Sequence, residues 1–311
     1  MASVSVIGAT GRQGLAQIKQ LLNSGYNVRA LSRSKNPASL GSMAKQVEIE
    51  FMDLEDEATI APALQGTDYV FLNFPLNLTA QRVELVEAVG KACKKADVSR
   101  LVWNTSSWIP ERPGDSHTYG RNIVAINKLW ALGTPTTVFG AVLFMDNLLT
   151  DWARPSLMND KRYIYPHAPD IGANWISLAD VAKVMIASLD RPDMVGAWMN
   201  IGGPEKLNGP SVAKILSNVL GFELNYDPYT PEEFADALAD ALDVDMPQEA
   251  RNVFTDYISD FYHYNNTAPT QPFSVNEEYV RSRLPEVKFE TLEDWATRQD
   301  WNGSAARPSG G

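Results

Sequence analysis

Short apolar runs rich in β-branched residues alternate with stretches whose apolar positions recur every three or four residues, from residue 3 to about residue 143. The runs predict strands over 3–7, 26–31, 46–52, 68–73, 100–104 and 136–143, and the intervening stretches predict helices from Gly14 to near Gly25 and over 55–64, 78–96 and 120–132. In the first helix Leu15, Ile18 and Leu22 form the apolar face, and Gly25 suits its C-terminal cap. The run at 68–73 is apolar enough for a strand covered on both faces of a parallel sheet. Residues 150–174 break the alternation with Trp, Tyr, Pro and Asp and predict only a short strand over 162–165. Regularity returns with a helix over 177–189, capped by Ser177 or Asp180, and a strand over 198–201 that ends at Gly202-Gly203-Pro204. A helix over 211–220, a short strand near Leu224 and helices over 231–242, 248–262 and 275–284 follow, with 303–311 read as a disordered tail. No internal repeat is visible. The pattern predicts an α/β fold: a doubly wound parallel sheet from residues 1–149 plus about 175–203, and a smaller, mainly helical C-terminal lobe from about 150–174 plus 204–302.

The first strand runs directly into Gly8-Ala-Thr-Gly-Arg-Gln-Gly14, so a strand, a tight turn and a helix start stand in the order that a dinucleotide requires. Gly8 permits the turn, Gly11 lets a pyrophosphate approach bare backbone, and Gly14 lets the helix pack close to the sheet. At the end of the second strand an acid would select a ribose 2′-hydroxyl and a base a 2′-phosphate. The chain reads Ser32-Arg33-Ser34-Lys35 there, so Arg33 favours NADP(H), and Arg12 in the turn is a second candidate contact.

Charge sharpens this picture. The chain carries a formal charge of −11, which argues against a direct nucleic-acid surface. Residues 1–47 nevertheless hold six Lys and Arg and no Asp or Glu, which suits a small polyanion. The single cysteine, Cys93, fits a reducing compartment, and a strand starting this close to Met1 leaves no room for a signal peptide. Without a long apolar run there is no membrane segment, and a cytoplasmic location is expected. Neither a metal cluster nor a nucleophile elbow appears.

Several segments together resemble the NmrA-like branch of the atypical short-chain dehydrogenase/reductase superfamily: Gly8 to Gly14, Val28-Arg-Ala-Leu-Ser-Arg33, Asp53-Leu54, Thr137 to Leu148 with its Phe-Met-Asp-Asn-Leu ending, Ser177-Leu-Ala-Asp-Val-Ala182 and Asn200-Ile-Gly-Gly203. The resemblance implies a Rossmann-type domain binding NADP(H), with the second lobe closing a substrate cleft. The cofactor-binding candidates are Gly8, Thr10, Gly11, Arg12, Gln13, Gly14, Arg33, Asp53, Leu54, Asn73, Phe74 and Pro75, with Phe74-Pro75 expected over the middle of the dinucleotide. Enzymes of this kind resemble isoflavone, phenylcoumaran, quinone or triphenylmethane reductases, whereas other members are redox-sensing regulators that act through a protein partner.

The residues depart from the superfamily's catalytic pattern. Four positions after Tyr119 stands Ile123 in place of the usual Lys, and the position of the lone Lys in related reductases is Asn122. Lys128 points elsewhere around the helix. The catalytic candidates are therefore Tyr119, Asn122 and Ser106, with Tyr119 the first choice as proton donor. Trp108, His117, Phe144 and Met145 are the expected substrate pocket, with Trp152, Trp175 and the aromatic stretch 254–264 contributed by the second lobe. An NADPH-dependent reductase of small aromatic or apolar carbonyl, enone or quinone-like substrates is the expected function; the alternative is a non-catalytic NADP(H) sensor. The sequence leaves a homodimer open.

Overall fold

The structure, a computed structural model, describes residues 1–75, 78, 81–112, 119–242 and 246–303. In chain order its strands are β1 (Ser3–Ile7), β2 (Asn27–Ser32), β3 (Glu48–Phe51), β4 (Tyr69–Leu72), β5 (Arg100–Asn104), β6 (Thr136–Ala141), β7 (Leu143–Phe144), β8 (Arg162–Tyr163), β9 (Ala173–Ile176), β10 (Trp198–Ile201), β11 (Lys206–Leu207) and β12 (Asn225–Tyr226). Seven of them form one sheet in the order β10-β6-β5-β4-β1-β2-β3, with every neighbouring pair parallel. The order reverses between β1 and β4, and a crevice at the carboxyl ends of those strands is where such sheets take ligands.

The helices are α1 (Arg12–Asn23), α2 (Glu57–Ala63), α3 (Arg82–Lys95), α4 (Gly120–Leu132), α5 (Leu178–Ala187), α6 (Gly209–Leu220), α7 (Pro231–Leu242), α8 (Gln248–Thr267), α9 (Glu277–Arg283) and α10 (Leu292–Thr297). Side chains of α2, α3 and α4 pack with one face of the sheet around Trp103, while α1, α5 and α9 pack with the other around Phe71 and Phe139. This is the double winding that the strand and helix alternation predicts.

A third core belongs to the chain after Ala141. Trp152, Tyr165, Trp175, Phe234, Tyr262 and Trp295 are buried together there, and α6, α7, α8 and α10 surround them. Trp152 meets Phe234 edge-on at 4.9 Å and Tyr165 at 5.2 Å, and each such aromatic pair adds about 1 kcal/mol beyond area burial. Trp152 and Trp175 are thus core residues of this lobe, not walls of a pocket.

The structure corrects three local expectations. The inward face of α1 carries Gln13, Gly14, Gln17, Ile18 and Leu21, whereas Leu15 and Leu22 are only partly buried, so the helix is turned to admit two glutamines. Strand β9 begins at the end of the stretch expected to be irregular and runs up to the helix predicted from 177, pairing with β7 and β11 in a small separate sheet. Helix α10 was not visible in the periodicity because it spans less than two turns. The tail expected to be disordered lies, from residue 304 onward, outside the described residues.

Candidate functional site

The glycine turn closes the gap between β1 and α1. Gly8 has φ +75°, a left-handed conformation that disfavours any side chain, and its carbonyl accepts the Gly11 amide at 3.1 Å. A Cβ on Gly14 would lie 2.2 Å from the Gly8 carbonyl oxygen and 2.7 Å from Ala9 Cα, so α1 sits against the turn at a distance that only glycine allows. Thr10 is exposed and Gly11 is the N-cap of α1 in extended conformation; no side chain caps the helix and its first turn contains no acid. The leading N–H groups are left to a ligand, and their partial positive charge suits an anion. These features fit the pyrophosphate of a dinucleotide.

Two amide pairs hold this turn in register with the strands. Gln17 Nε2 donates to Asn73 Oδ1 and Asn73 Nδ2 donates to Gln17 Oε1, both at 2.8 Å, while Asn73 Nδ2 also reaches the Ile7 carbonyl at 3.0 Å. One helical turn earlier, Gln13 Oε1 accepts from Asn104 Nδ2 at 2.6 Å and Gln13 Nε2 donates to Ser106 Oγ at 2.8 Å. All four amides are buried. Left unpaired they would cost about 1–3 kcal/mol each, and paired they bind α1 to the ends of β4 and β5. Sequence reasoning took Gln13 and Asn73 as cofactor contacts and missed Gln17 and Asn104. The usable signal was the spacing of Gln13 and Gln17, four apart and so on the same face of the helix.

The remaining cofactor candidates separate by orientation. Arg33 and Lys35 stand exposed just past β2, on a turn in which the Ser34 amide donates to Ser32 Oγ at 3.0 Å. Arg12 turns away from that end: Nη1 donates to the Asp146 carbonyl at 2.9 Å and Nη2 to Asn147 Oδ1 at 3.1 Å. It therefore ties the glycine turn to the segment after β7. Asp53 shapes its own loop by accepting the Glu55 amide at 3.1 Å, and Leu54 is buried. The Phe74 side chain, expected over the dinucleotide, is instead 5% exposed and packs edge-on to Trp103 at 6.2 Å; apolar area draws it into the core, leaving its backbone and the half-buried Pro75 at the sheet edge.

The corner between β5 and α4 holds the catalytic candidates. Ser106 has φ +58°, its amide donates to Asn104 Oδ1, and its hydroxyl accepts from Gln13. Asn122 is buried: Nδ2 donates to Ser107 Oγ and to the Trp108 carbonyl, both at 3.0 Å, and Oδ1 accepts from Arg82 Nη1 at 2.7 Å. The amide at the family's lysine position thus fixes the loop, and the cation behind it comes from α3. Lys128 is engaged on the surface with Glu87 at 2.8 Å.

Tyr119 is 1% exposed, and its hydroxyl donates to Asn265 Oδ1 of α8 at 2.8 Å. Burial pushes its pKa well above the ordinary phenol value, with the Asn265 bond opposing that shift only in part. A phenol so placed holds its proton tightly, which weighs against its role as the donor. Its ring lies 5.4 Å from Trp108 and from Phe261, and 6.0 Å from Tyr264, so α8 closes over this corner. Phe144 is half-buried against the sheet core and Met145 lies in the core of the second lobe. His117 falls outside the described residues.

Two hollows of about 370 and 280 Å³ flank α6, and neither is lined by a residue of the sheet's carboxyl edge. Among the described residues no cluster of His, Cys, Asp and Glu could hold a metal, and no helix is long and apolar enough to cross a membrane.

The chain is 27% identical over 237 residues to an NAD(P)H azoreductase of Xenophilus azovorans, covering 76% of this chain and 80% of that protein. Among solved structures it superposes with a TM-score of 0.75 on the triphenylmethane reductase of Citrobacter sp. complexed with NADP(H), at 17% identity and 95% and 99% coverage. It also superposes with a TM-score of 0.75 on NmrA, a negative transcriptional regulator in complex with NAD, at 15% identity and 97% and 99% coverage. At those identities the two superpositions speak for the fold. A model of the NmrA-like family matches residues 2–296 and therefore nearly all of the structure described above: the chain belongs to the NmrA-like family.

Proposed function

We propose that the protein is an NADPH-dependent reductase that delivers hydride to a carbonyl, enone or quinone-like carbon of a small aromatic or apolar molecule. The observation that carries this reading is the uncapped glycine turn beside an aromatic corner built from both lobes, Trp108 and Tyr119 on one side and Phe261 and Tyr264 on the other. The azoreductase relative supports reductive chemistry with a nicotinamide cofactor.

The first-turn amides of α1 would hold the pyrophosphate, and Arg33 with Lys35 the 2′-phosphate. When bound, the nicotinamide supplies the hydride. The chain's part is positioning: the Gln13–Asn104–Ser106 network fixes the loop after β5, and the aromatic corner orients a flat substrate and excludes water. The proton that balances hydride transfer is drawn from solvent on the loop after β5, where Ser106 is partly exposed, because the buried Tyr119 releases its own poorly.

Loss of NADPH absorbance with a panel of quinones, enones and aromatic ketones tests the reading, and turnover of at least one class is expected. Arg33→Asp should weaken NADPH by about 1–3 kcal/mol and spare NADH. The full engagement of Asn122 and the burial of Tyr119 favour a second reading, a non-catalytic NADP(H)-binding sensor acting through a protein partner. Tight NADPH binding without consumption across the panel, together with a partner affinity that differs between NADPH and NADP⁺, would select it.

A further inference from the structure

Arg12 stands directly after Gly11, so its amide belongs to the first turn of α1, which faces the proposed pyrophosphate. Its side chain leaves that turn for the segment after β7. Nη1 donates to the Asp146 carbonyl at 2.9 Å and Nη2 to Asn147 Oδ1 at 3.1 Å, so the planar fork is spent on two successive residues. Asn147 uses the other end of its amide on the Tyr165 hydroxyl, at 3.2 Å. Tyr165 belongs to the aromatic core of the second lobe: its ring lies 5.2 Å from Trp152 and from Trp175, and stacks on Phe234 at 5.6 Å. Three side chains thus lead from the glycine turn into the other core.

A second branch holds the same segment to the helices over the sheet. Asp146 Oδ2 accepts the Leu178 amide at 2.9 Å at the start of α5, and α5 packs on α1. Met145 and Leu148, on either side, are buried in the second-lobe core. The stretch 145–149 is therefore a joint between the two cores, and Arg12 is the cation that grips it. Burial of Arg12 lowers its pKa, while Asp146, Tyr165 and Asp151 act in the other direction and favour its charge. A diphosphate at the turn would add negative charge to that balance, and would pin the backbone from which the fork projects. Both effects make the forked arrangement stronger with the ligand than without it, which is what coupling between two sites requires.

We propose that Arg12 couples dinucleotide binding to the second lobe: an occupied glycine turn orders the Asn147–Tyr165 joint, so the cofactor sets the second lobe in place before a substrate enters. This rests on the reading of the turn as a dinucleotide site, and it holds whether or not hydride is transferred. The competing role for Arg12 is a contact to the 2′-phosphate. That group is placed beside Arg33 and Lys35, whereas the Arg12 fork is committed to residues 146 and 147. Coupling is reciprocal, so the second lobe must act on the turn as well: loosening Tyr165 weakens the dinucleotide although Tyr165 belongs to the other core.

Hydrogen exchange of the full-length protein, with and without saturating NADP⁺, reads the coupling without turnover. Residues 143–153 and 162–167 are expected to exchange about fivefold more slowly with NADP⁺ bound, together with the turn at 8–14. Arg12→Lys keeps the charge and loses the fork; it should remove the protection of 162–167 and retain that of the turn. Tyr165→Phe deletes only the hydroxyl that Asn147 reaches, and should lower NADP⁺ affinity about fivefold by calorimetry. Tyr163→Phe deletes a hydroxyl of the same core off this path and should leave that affinity within about twofold. The double variant Arg12→Lys/Tyr165→Phe should bind as the weaker single variant does, because both substitutions cut one path. The two tyrosine variants keep the test alive if Arg12→Lys fails to fold. Protection confined to 8–14 in the unmodified protein overturns the coupling and keeps the dinucleotide site, whereas no protection anywhere overturns both. Unaltered affinity in Tyr165→Phe, an equal loss in Tyr163→Phe, or losses that multiply in the double variant overturn the proposal as well. So does an Arg12→Lys variant that loses protection of turn and lobe alike, by assigning the guanidinium to the cofactor phosphates. Coupling without NADPH consumption by any substrate sinks the reductase reading and leaves the joint standing.

Discussion

Helix starts in this molecule fall into two groups. Helices α2, α5, α6, α9 and α10 are closed by the side chains of Asp56, Ser177, Asn208, Asn276 and Thr291, each accepting a first-turn amide. Helices α1, α3 and α4, which follow the central strands β1, β4 and β5, begin at Gly11, Gln81 and Tyr119 with no such bond among the described residues, and so does α8 at Pro247. A cap contributes about 1 kcal/mol, so the outer helices are finished for stability. Helix α1 forgoes that gain beside the place where the sheet order reverses, and its leading donors face the site proposed for the dinucleotide.

Closing an open start should therefore hurt binding more than opening a closed one hurts folding. Gly11→Asp gives α1 a cap and a charge at an extended position that aspartate adopts easily, and it should cost NADPH at least 100-fold, about 2.7 kcal/mol, while leaving apo stability equal or higher. Fluorescence titration of NADPH beside thermal melts of the apo protein reads both sides, and retained affinity would break the distinction. The second lobe contrasts in its response to acid. Burial among Tyr165, Tyr262 and Phe273 lowers the His167 pKa to about 3, below its unfolded value near 6.5. In that window the unfolded chain binds the extra proton, so stability is complete above about pH 6.5 and falls by up to about 1.4 kcal/mol per unit as the pH drops toward 3. Chemical denaturation across this range should show that slope, and His167→Phe should flatten it.

Asp56→Ala removes the cap of α2 and should lower stability by about 1 kcal/mol with NADPH affinity untouched, measured by urea titration and the same fluorescence assay. The smallest expected effect is that of Tyr119→Phe. It deletes the hydroxyl bond to Asn265, costing about 1 kcal/mol of stability or less, and should change the turnover rate less than twofold. A hundredfold fall in rate at unchanged stability would restore Tyr119 as the proton donor.

The parallel sheet was legible because short β-branched and apolar runs alternate with helices that have their own period, and the glycine turn because Gly8 and Gly14 answer to local geometry. Strand β9 was hidden among prolines and tryptophans: its hydrogen bonds go to β7 and β11, distant in sequence, and no local pattern specifies them. The site was half legible for the same reason. Arg33 follows from its place after a strand. Phe74 turned inward because Trp103 offered it buried area, and Arg82 became part of the corner only when α3 was packed beside α4. Asn122 was read as standing where related reductases carry a lysine, but the sequence could not show that its amide faces a guanidinium.

The Gln17–Asn73 and Gln13–Asn104 pairs have one further consequence. They are neutral at every pH the protein meets, and being buried they owe nothing to mobile ions. Arg33 and Lys35, proposed above to hold a 2′-phosphate, are exposed cations whose pull on an anion weakens as the ionic atmosphere thickens. Added salt thus loosens the grip on ligands without disturbing the frame that holds it.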